Sequence, residues 1–344
     1  MKQKTAGTWI GRILLVLLVT LLLLLVAVVG VVYVVLRGPS VTAQELLTRS
    51  MKETSAIGFI PDLFLSGDRV AEIMSYREED AGDVSTDASL VTVAVRRAPE
   101  QTGTPDPGQD GTPEDAGEDI EIVSITGAGY RGVMMIVKDP TRLFVGTPDR
   151  FGGVGLTLEE MINKYDAIGG VNGGGFYDPN GTGIGGIPEG IVISDGVMTW
   201  GSASTSSSVI GFEADGILHV GQMTGQQAMD RNLQWACSFG PALIVNGEAQ
   251  TTSAITSSGV NPRTAIGQRA DGAVLLLVVD GRQITSLGAT LEDLISILLE
   301  HGAVNAANLD GGSSSQMFYE GEEMNNNISV KGNRPLPTTI LVRR

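Results

Sequence analysis

The chain has 344 residues, 42% of them hydrophobic and only 5% aromatic, with a formal net charge of −16 at pH 7. That length supplies one large core or two ordinary ones, and the acidic balance excludes nucleic acid as a partner, because phosphate binding needs a basic field. Cys237 is the only cysteine, so an internal disulfide is excluded and stability must rest on burial.

Residues 1–12 carry Lys2, Lys4 and Arg12 and no acid. From Ile13 to Leu36 there is no charged residue, and at ~1.5 Å rise per residue such a helix spans a hydrocarbon layer of ~30 Å. The run exceeds the roughly 7–15 residues of a cleaved signal's apolar core and ends in Val-Tyr-Val-Val-Leu, without a small-residue cleavage site. An uncleaved anchor over 13–36 is therefore expected. The basic flank predicts a single-pass plasma-membrane protein with residues 1–12 in the cytoplasm and the rest outside the cell.

Residues 37–97 read as a membrane-proximal stalk closing on a first strand. Thr42 to Lys52 has the pattern of a short amphipathic helix, with Thr42 as N-cap and Glu45 at capping-box spacing, and Asp68 to Tyr76 repeats the pattern. SLVTVAVRR, residues 89–97, alternates as a strand does. Residues 98–118, APEQTGTPDPGQDGTPEDAGE, hold no aromatic and no aliphatic residue larger than alanine. Such a segment buries too little apolar area to offset its ordering entropy, and an acidic disordered loop is expected.

From Asp119 to the C-terminus short apolar runs alternate with glycine-rich turns. DIEIVSITGAGYRGVMMIVKDP predicts a strand pair bent near Gly127 to Gly132, and GIVISDG, ALIVNG and AVLLLVVDG read as further strands. Helical periodicity appears at Thr157 to Tyr165 and Thr290 to His301, each opened by Thr with carboxylates in the first turn. The expected class is α+β, a strand-dominated mixed-sheet domain over 119–344 with a few helices. Cys237, in LQWACSFG, is expected in the core.

Several familiar chemistries fail on context. Gly181, Gly183 and Gly186 satisfy the dinucleotide glycine spacing, but Pro188 follows where a helix should open. DGGSSSQ lacks the closing glycine of a nucleophile elbow. With only His219 and His301, a zinc site or a Ser-His-Asp triad is poorly supplied. Asp178, Asn180, Thr182, Gly183 and Glu189 fall at calcium-loop positions, with Thr182 departing from the pattern and flanking helices absent. Asp-Pro-Asn-Gly is also a turn sequence, so a Ca²⁺ site and a plain turn both stand; otherwise no cofactor is expected.

Three distant segments place polar groups where apolar runs end: GGVNGGGFYDPNG around Asn172, GVNPRTAIG with Asn261, Arg263 and Thr264, and VNAANLDGGSSSQMF with Asp310. A side chain at the rim of a sheet sits on a rigid support, glycine lets backbone N–H groups approach an anion, and arginine offers a fork suited to phosphate. Their order, together with ISDG at Ile193–Gly196 and VDGRQ at Val279–Gln283, resembles the phosphodiester glycosidase family, whose bacterial members are often labelled exopolysaccharide-biosynthesis proteins. Two departures stand out. Ser313 replaces a third glycine after Gly312, and NGGGFY carries a glycine more than the family's NGGFF, leaving the aromatic role to Phe176 or Tyr177.

The resemblance implies hydrolysis of a sugar-1-phosphodiester in a cell-surface glycan or glycoconjugate. On that reading Asp310, Asn172 and Arg263 are catalytic, and Gly173, Gly174, Thr264, Asp280, Gly311, Gly312 and Ser314 bind substrate. Arg263 and glycine N–H groups would hold the phosphate, Asp310 would act at the anomeric carbon, Asn172 would orient sugar or water, and Glu189 is a reserve acid. Trp200, Trp235 and Tyr319 offer stacking surfaces or core packing. The competing class is a non-catalytic module that binds phosphate-linked glycans in exopolysaccharide or envelope assembly.

Overall fold

The structure, a computed structural model, describes residues 4–54, 57–74, 85–93, 119–178, 183–329 and 332–344. The acidic segment 98–118 lies outside the described residues. The chain divides into two compact units, Met1–Ser75 and Tyr76–Arg344.

In the first unit α1 (Lys4–Arg37) is followed by α2 (Val41–Lys52), α3 (Ile60–Phe64) and α4 (Gly67–Met74). The stretch Trp9–Arg37 is long and apolar enough to cross a membrane. The N-cap of α2 is Ser40, whose hydroxyl accepts the Ala43 N–H at 3.3 Å, not Thr42 as the capping-box spacing suggested. Thr42 already lies inside the helix, which begins at Val41, and Gln44 one turn on donates its side-chain amide to the Leu36 carbonyl at 2.6 Å, closing the end of α1. Arg69 on α4 then reaches Glu45 at 3.0 Å.

Among the described residues the second unit contains seventeen strands. The first eight are β1 (Ile120–Gly127), β2 (Tyr130–Val137), β3 (Leu143–Gly146), β4 (Ala167–Asn172), β5 (Val192–Ser194), β6 (Val197–Trp200), β7 (Ser206–Phe212) and β8 (Leu218–Thr224). Then come β9 (Trp235–Ser238), β10 (Ala242–Val245), β11 (Glu248–Ala249), β12 (Arg263–Arg269), β13 (Val274–Val279), β14 (Ala303–Leu309), β15 (Met317–Tyr319), β16 (Glu322–Glu323) and β17 (Thr339–Arg343). Its helices are α5 (Leu158–Tyr165), α6 (Gly225–Asp230), α7 (Ser253–Thr256) and α8 (Leu291–Glu300).

The strands form a seven-stranded sheet in the order β1-β2-β13-β12-β14-β10-β11 and two five-stranded sheets, β16-β15-β4-β17-β3 and β6-β5-β9-β7-β8. The strand-dominated α+β expectation holds. Every pairing among the described strands is antiparallel, however, where a mixed sheet was expected. β13 and β14 both run antiparallel to β12, which lies between them, so the helical crossover through α8 links parallel strands that never touch. The run 89–97 departs from its strand reading: Ala88–Leu90 is a 3-10 turn capped by Asp87, and residues 94–97 lie outside the described set.

β13 shows why the large sheet reads as an unbroken apolar run. Val274, Leu276 and Val278 join the core shared with Val171 and Ile340, while Leu275, Leu277 and Val279 pack beneath Leu294 and Leu298 of α8. A strand covered on both faces has no polar positions to alternate with. The two expected capping boxes are present, Thr157 with Glu160 at α5 and Thr290 with Asp293 at α8. Cys237 is buried in the core, and burial pushes its thiol up to about 12.

Candidate functional site

Antiparallel pairing puts the start of β12 beside the end of β14, with Thr264 opposite Leu309, so Arg263 and Asp310 emerge at one rim of the large sheet. β4 belongs to another sheet, and its last residue bridges the gap. The Asn172 side-chain amide donates to the Asp310 backbone carbonyl at 2.6 Å, and its carbonyl oxygen accepts the Thr264 hydroxyl at 2.8 Å and the Gln316 N–H at 3.1 Å. The Asp310 N–H in turn donates to the Gly173 carbonyl at 3.1 Å. The three segments singled out in the sequence therefore meet.

Asn172 and Thr264 are fully buried, so in this structure they position Asp310 and touch no open space. The glycine N–H groups differ from the expected cradle. Gly173 donates to the Thr338 carbonyl, Gly174 to the Thr338 hydroxyl at 2.9 Å, Gly311 to its neighbour Asp310 at 3.0 Å and Gly312 to the Pro262 carbonyl. All four N–H groups are engaged within the chain. Gly174 is needed for another reason: a Cβ there would stand 2.5 Å from the Ser238 carbonyl oxygen, so the glycine lets two backbones approach. Gly312, at φ +63°, makes the left-handed step that turns the chain into the Gly312–Ser314 3-10 turn.

The part-buried Asp310 carboxyl is raised from 3.8 to about 6 by desolvation. The Ser314 hydroxyl, Arg334 and the Gly311 N–H pull the other way, and Asp178 adds to the rise. Desolvation also raises Glu189, whose backbone N–H is bonded to the Gly175 carbonyl. Asp280 is raised by burial as well, while its carboxylate accepts the Asn325 amide at 3.1 Å and the Asn326 N–H at 2.9 Å. It clamps that loop.

The arginines divide their work differently from the sequence reading. Arg263 is buried, and its guanidinium donates to the backbone carbonyls of Gly259 at 2.6 Å and Ala289 at 3.3 Å. Arg334 lies over the Phe176 ring at 4.9 Å, pairs with Asp178 at 2.8 Å, approaches the Ser313 hydroxyl at 3.5 Å and bears electrostatically on Asp310. No motif pointed to Arg334, which follows a glycine-asparagine turn sequence and precedes Pro335. Of the two candidate aromatics, Phe176 is the buried one beneath Arg334 and Tyr177 is 61% exposed. Gln316 and Asn325 were also missed; both lie in polar runs that read simply as turns.

For the calcium reading, Asn180 and Thr182 lie outside the described residues. Asp178 is committed to Arg334 and to the Gly183 N–H at 2.5 Å, which is the chemistry of an ion-paired turn. Among the described residues there is no group of three or more His, Cys, Asp or Glu side chains placed to hold a metal ion. His219 bonds Glu213 at 2.7 Å and His301 bonds the Ile297 carbonyl.

A glycine-rich rim where an antiparallel sheet presents a desolvated aspartate beside an arginine defines a candidate hydrolytic or anion-binding site. A family model described as phosphodiester glycosidase matches residues 165–343, just over half the chain, and the chain belongs to that family. It is 31% identical over 197 residues to the SPbeta prophage-derived uncharacterized protein YomE of Bacillus subtilis (strain 168), covering 55% of this chain and 29% of that protein. To the mouse N-acetylglucosamine-1-phosphodiester alpha-N-acetylglucosaminidase it is 26% identical over 247 residues, covering 65% of this chain and 47% of the mouse protein. The human protein of the same name is 27% identical, covering 48% of this chain and 34% of its own length. The chain thus spans less than half the length of these relatives. The fold is similar to the solved catalytic domain of the zebrafish protein of that name, auto-inhibited by its pro-peptide, with a TM-score of 0.54 at 23% identity over 65% of this chain and 82% of that one.

Proposed function

We propose that the chain is a membrane-anchored hydrolase that cleaves the bond between a sugar's anomeric carbon and phosphate in a cell-surface glycan or glycoconjugate. The observation that carries this reading is Asp310, held through its backbone carbonyl by Asn172 where the three segments meet, with its carboxyl raised by burial and within electrostatic reach of the Arg334 guanidinium. Family membership and the mouse and human relatives' names support the substrate class. The apolar stretch Trp9–Arg37 supports the anchor, and the basic residues before it support an N-terminus in the cytoplasm with the second unit outside the cell.

Phosphate departs as a stabilised anion, so the strong general acid of an ordinary glycosidase is less needed and charge neutralisation matters more. Arg334, with the Ser313 hydroxyl, takes the phosphate in this proposal. Arg263 instead supports the loop that carries Pro262, which holds Gly312. Asp310 removes a proton from water attacking the anomeric carbon, or stabilises the oxocarbenium-like charge there. The carbon–oxygen bond to phosphate breaks, water supplies the new hydroxyl, and the products are a free sugar and a phosphomonoester. Glu189 remains the second acid, and Asn172, with Thr264, holds the Asp310 backbone in place.

The test is incubation of the detergent-solubilised full chain with sugar-1-phosphodiesters of N-acetylglucosamine, glucose and mannose, assayed for free sugar. Release that Asp310→Asn abolishes supports the reading. Saturable binding without release, in both forms, would leave the non-catalytic glycan-binding module instead.

A further inference from the structure

A second concavity, of about 410 Å³, opens in the same unit, walled by Phe144, Tyr165 and Trp235 and edged by Asp166, Asp195 and Arg343. It lies at the far rim of the β4 sheet. In the β4–β17 register Asn172 stands opposite Thr339 and Ala167 opposite Arg343, so five residues of extended strand, roughly 17 Å, separate it from Asn172. Nothing in the Asp310 chemistry uses it.

Its composition selects a ligand class. The Arg343 guanidinium is spread over the Phe144 ring at 4.6 Å and the Trp235 ring at 5.4 Å, and is tied to the Thr141 carbonyl at 3.1 Å. The guanidinium thus lies over both rings and brings nitrogen donors to that wall of the pocket. Asp166 and Asp195 are both exposed and both in the left-handed conformation, at φ +49° and +50°, which turns the chain at the two lips of the pocket. Asp195 offers a carboxylate acceptor in the same pocket as Arg343, while the Asp166 carboxylate is paired with Arg344 at 3.1 Å. Ser194 also lines the cavity, and its hydroxyl is buried without a hydrogen-bond partner. The aromatic side chains of Tyr165 and Trp235, the Asp195 carboxylate and the Ser194 hydroxyl, with two aspartates balanced by Arg343 and Arg344, suit a neutral ring bearing many hydroxyls.

We propose that this pocket binds a neutral saccharide, as a glycan-holding site distinct from the Asp310 rim. It stands independently of the catalytic reading. Its occupancy is read by tryptophan fluorescence of the full chain, in a detergent without a sugar headgroup, titrated with chitobiose, cellobiose and maltose. The expected result is a saturable change with at least one of the three in wild type and in Asp310→Asn. Asp195→Gly, which keeps the left-handed turn but removes the carboxylate, should weaken it at least tenfold, and Trp235→Phe should remove the signal. Should Asp195→Gly melt early, Asp195→Asn with the same titration takes its place, with weakening again expected. No saturable change with any sugar, or saturation that survives the Asp195 variants and vanishes in Asp310→Asn, overturns the proposal.

Discussion

The side-chain amide of Asn172 holds the backbone carbonyl of Asp310, 138 residues downstream, at 2.6 Å. One side chain thereby joins two sheets at the point where the candidate catalytic carboxylate leaves its strand. The same amide's oxygen accepts from Thr264 and Gln316, so one residue satisfies two buried partners and one part-buried one.

Replacing Asn172 with alanine would strand the Thr264 hydroxyl and the Gln316 N–H in a buried setting and the Asp310 carbonyl in a part-buried one. At roughly 1–3 kcal/mol for each buried unsatisfied group, a loss of at least about 2 kcal/mol is expected. Urea unfolding should show it as a lower midpoint, and sugar release should fall with it. Asn172→Asp, which turns the donor toward Asp310 into an acceptor, should do no better than alanine.

Asp310 sets the pH behaviour. As a base it must be ionised, so kcat/KM should fall about tenfold per pH unit below about 6. Stability should run the opposite way. A carboxyl whose folded value lies above its unfolded one binds its proton more tightly when folded, so its contribution is complete below about 4 and is lost as pH rises through about 6. Asp310→Asn should therefore abolish turnover while melting at or above the wild-type temperature at pH 8. A collapse of folding instead would make Asp310 a turn-capping residue.

The two arginines separate by substitution with lysine, which keeps charge and loses the planar fork. Arg263→Lys should lower the melting temperature, since its bonds to the Gly259 and Ala289 carbonyls go, while turnover stays within a few-fold of wild type. Arg334→Lys should leave melting nearly unchanged, as its ion-pair partner Asp178 is part-exposed, and lower kcat/KM by up to roughly 100–1,000-fold, the scale of one lost transition-state contact. The reverse pattern would return the phosphate to Arg263.

Cys237 provides a folding reporter. With its thiol pushed up to about 12, about one molecule in ten thousand carries the thiolate at pH 8, and the side chain is buried as well. Iodoacetamide should leave the native chain unlabelled and modify it fully in 6–8 M urea, a usual unfolding range. Rapid labelling of the native protein would show that the β9 region opens locally.

What could be read without coordinates was what depends on neighbours along the chain. The caps at Thr157 and Thr290 lie three residues from their partners, and β13 announces its double burial by having no polar position. Local pattern did not decide every cap: Ser40, two residues before Thr42, caps α2, because the helix already begins at Val41.

Sequence alone determined the long apolar helix, the strand-rich class, the family and the three segments that would supply Asn172, Thr264 and Asp310. Tertiary structure decided which groups are bonded within the chain and which lie around Asp310. Arg263 and Arg334 are chemically identical, and only the fold spends one on backbone carbonyls and sets the other beside Asp178, Phe176 and Asp310. Desolvation of Asp310 and the engagement of all four glycine N–H groups likewise follow from strands that meet across sheets, and a linear pattern does not encode those distances.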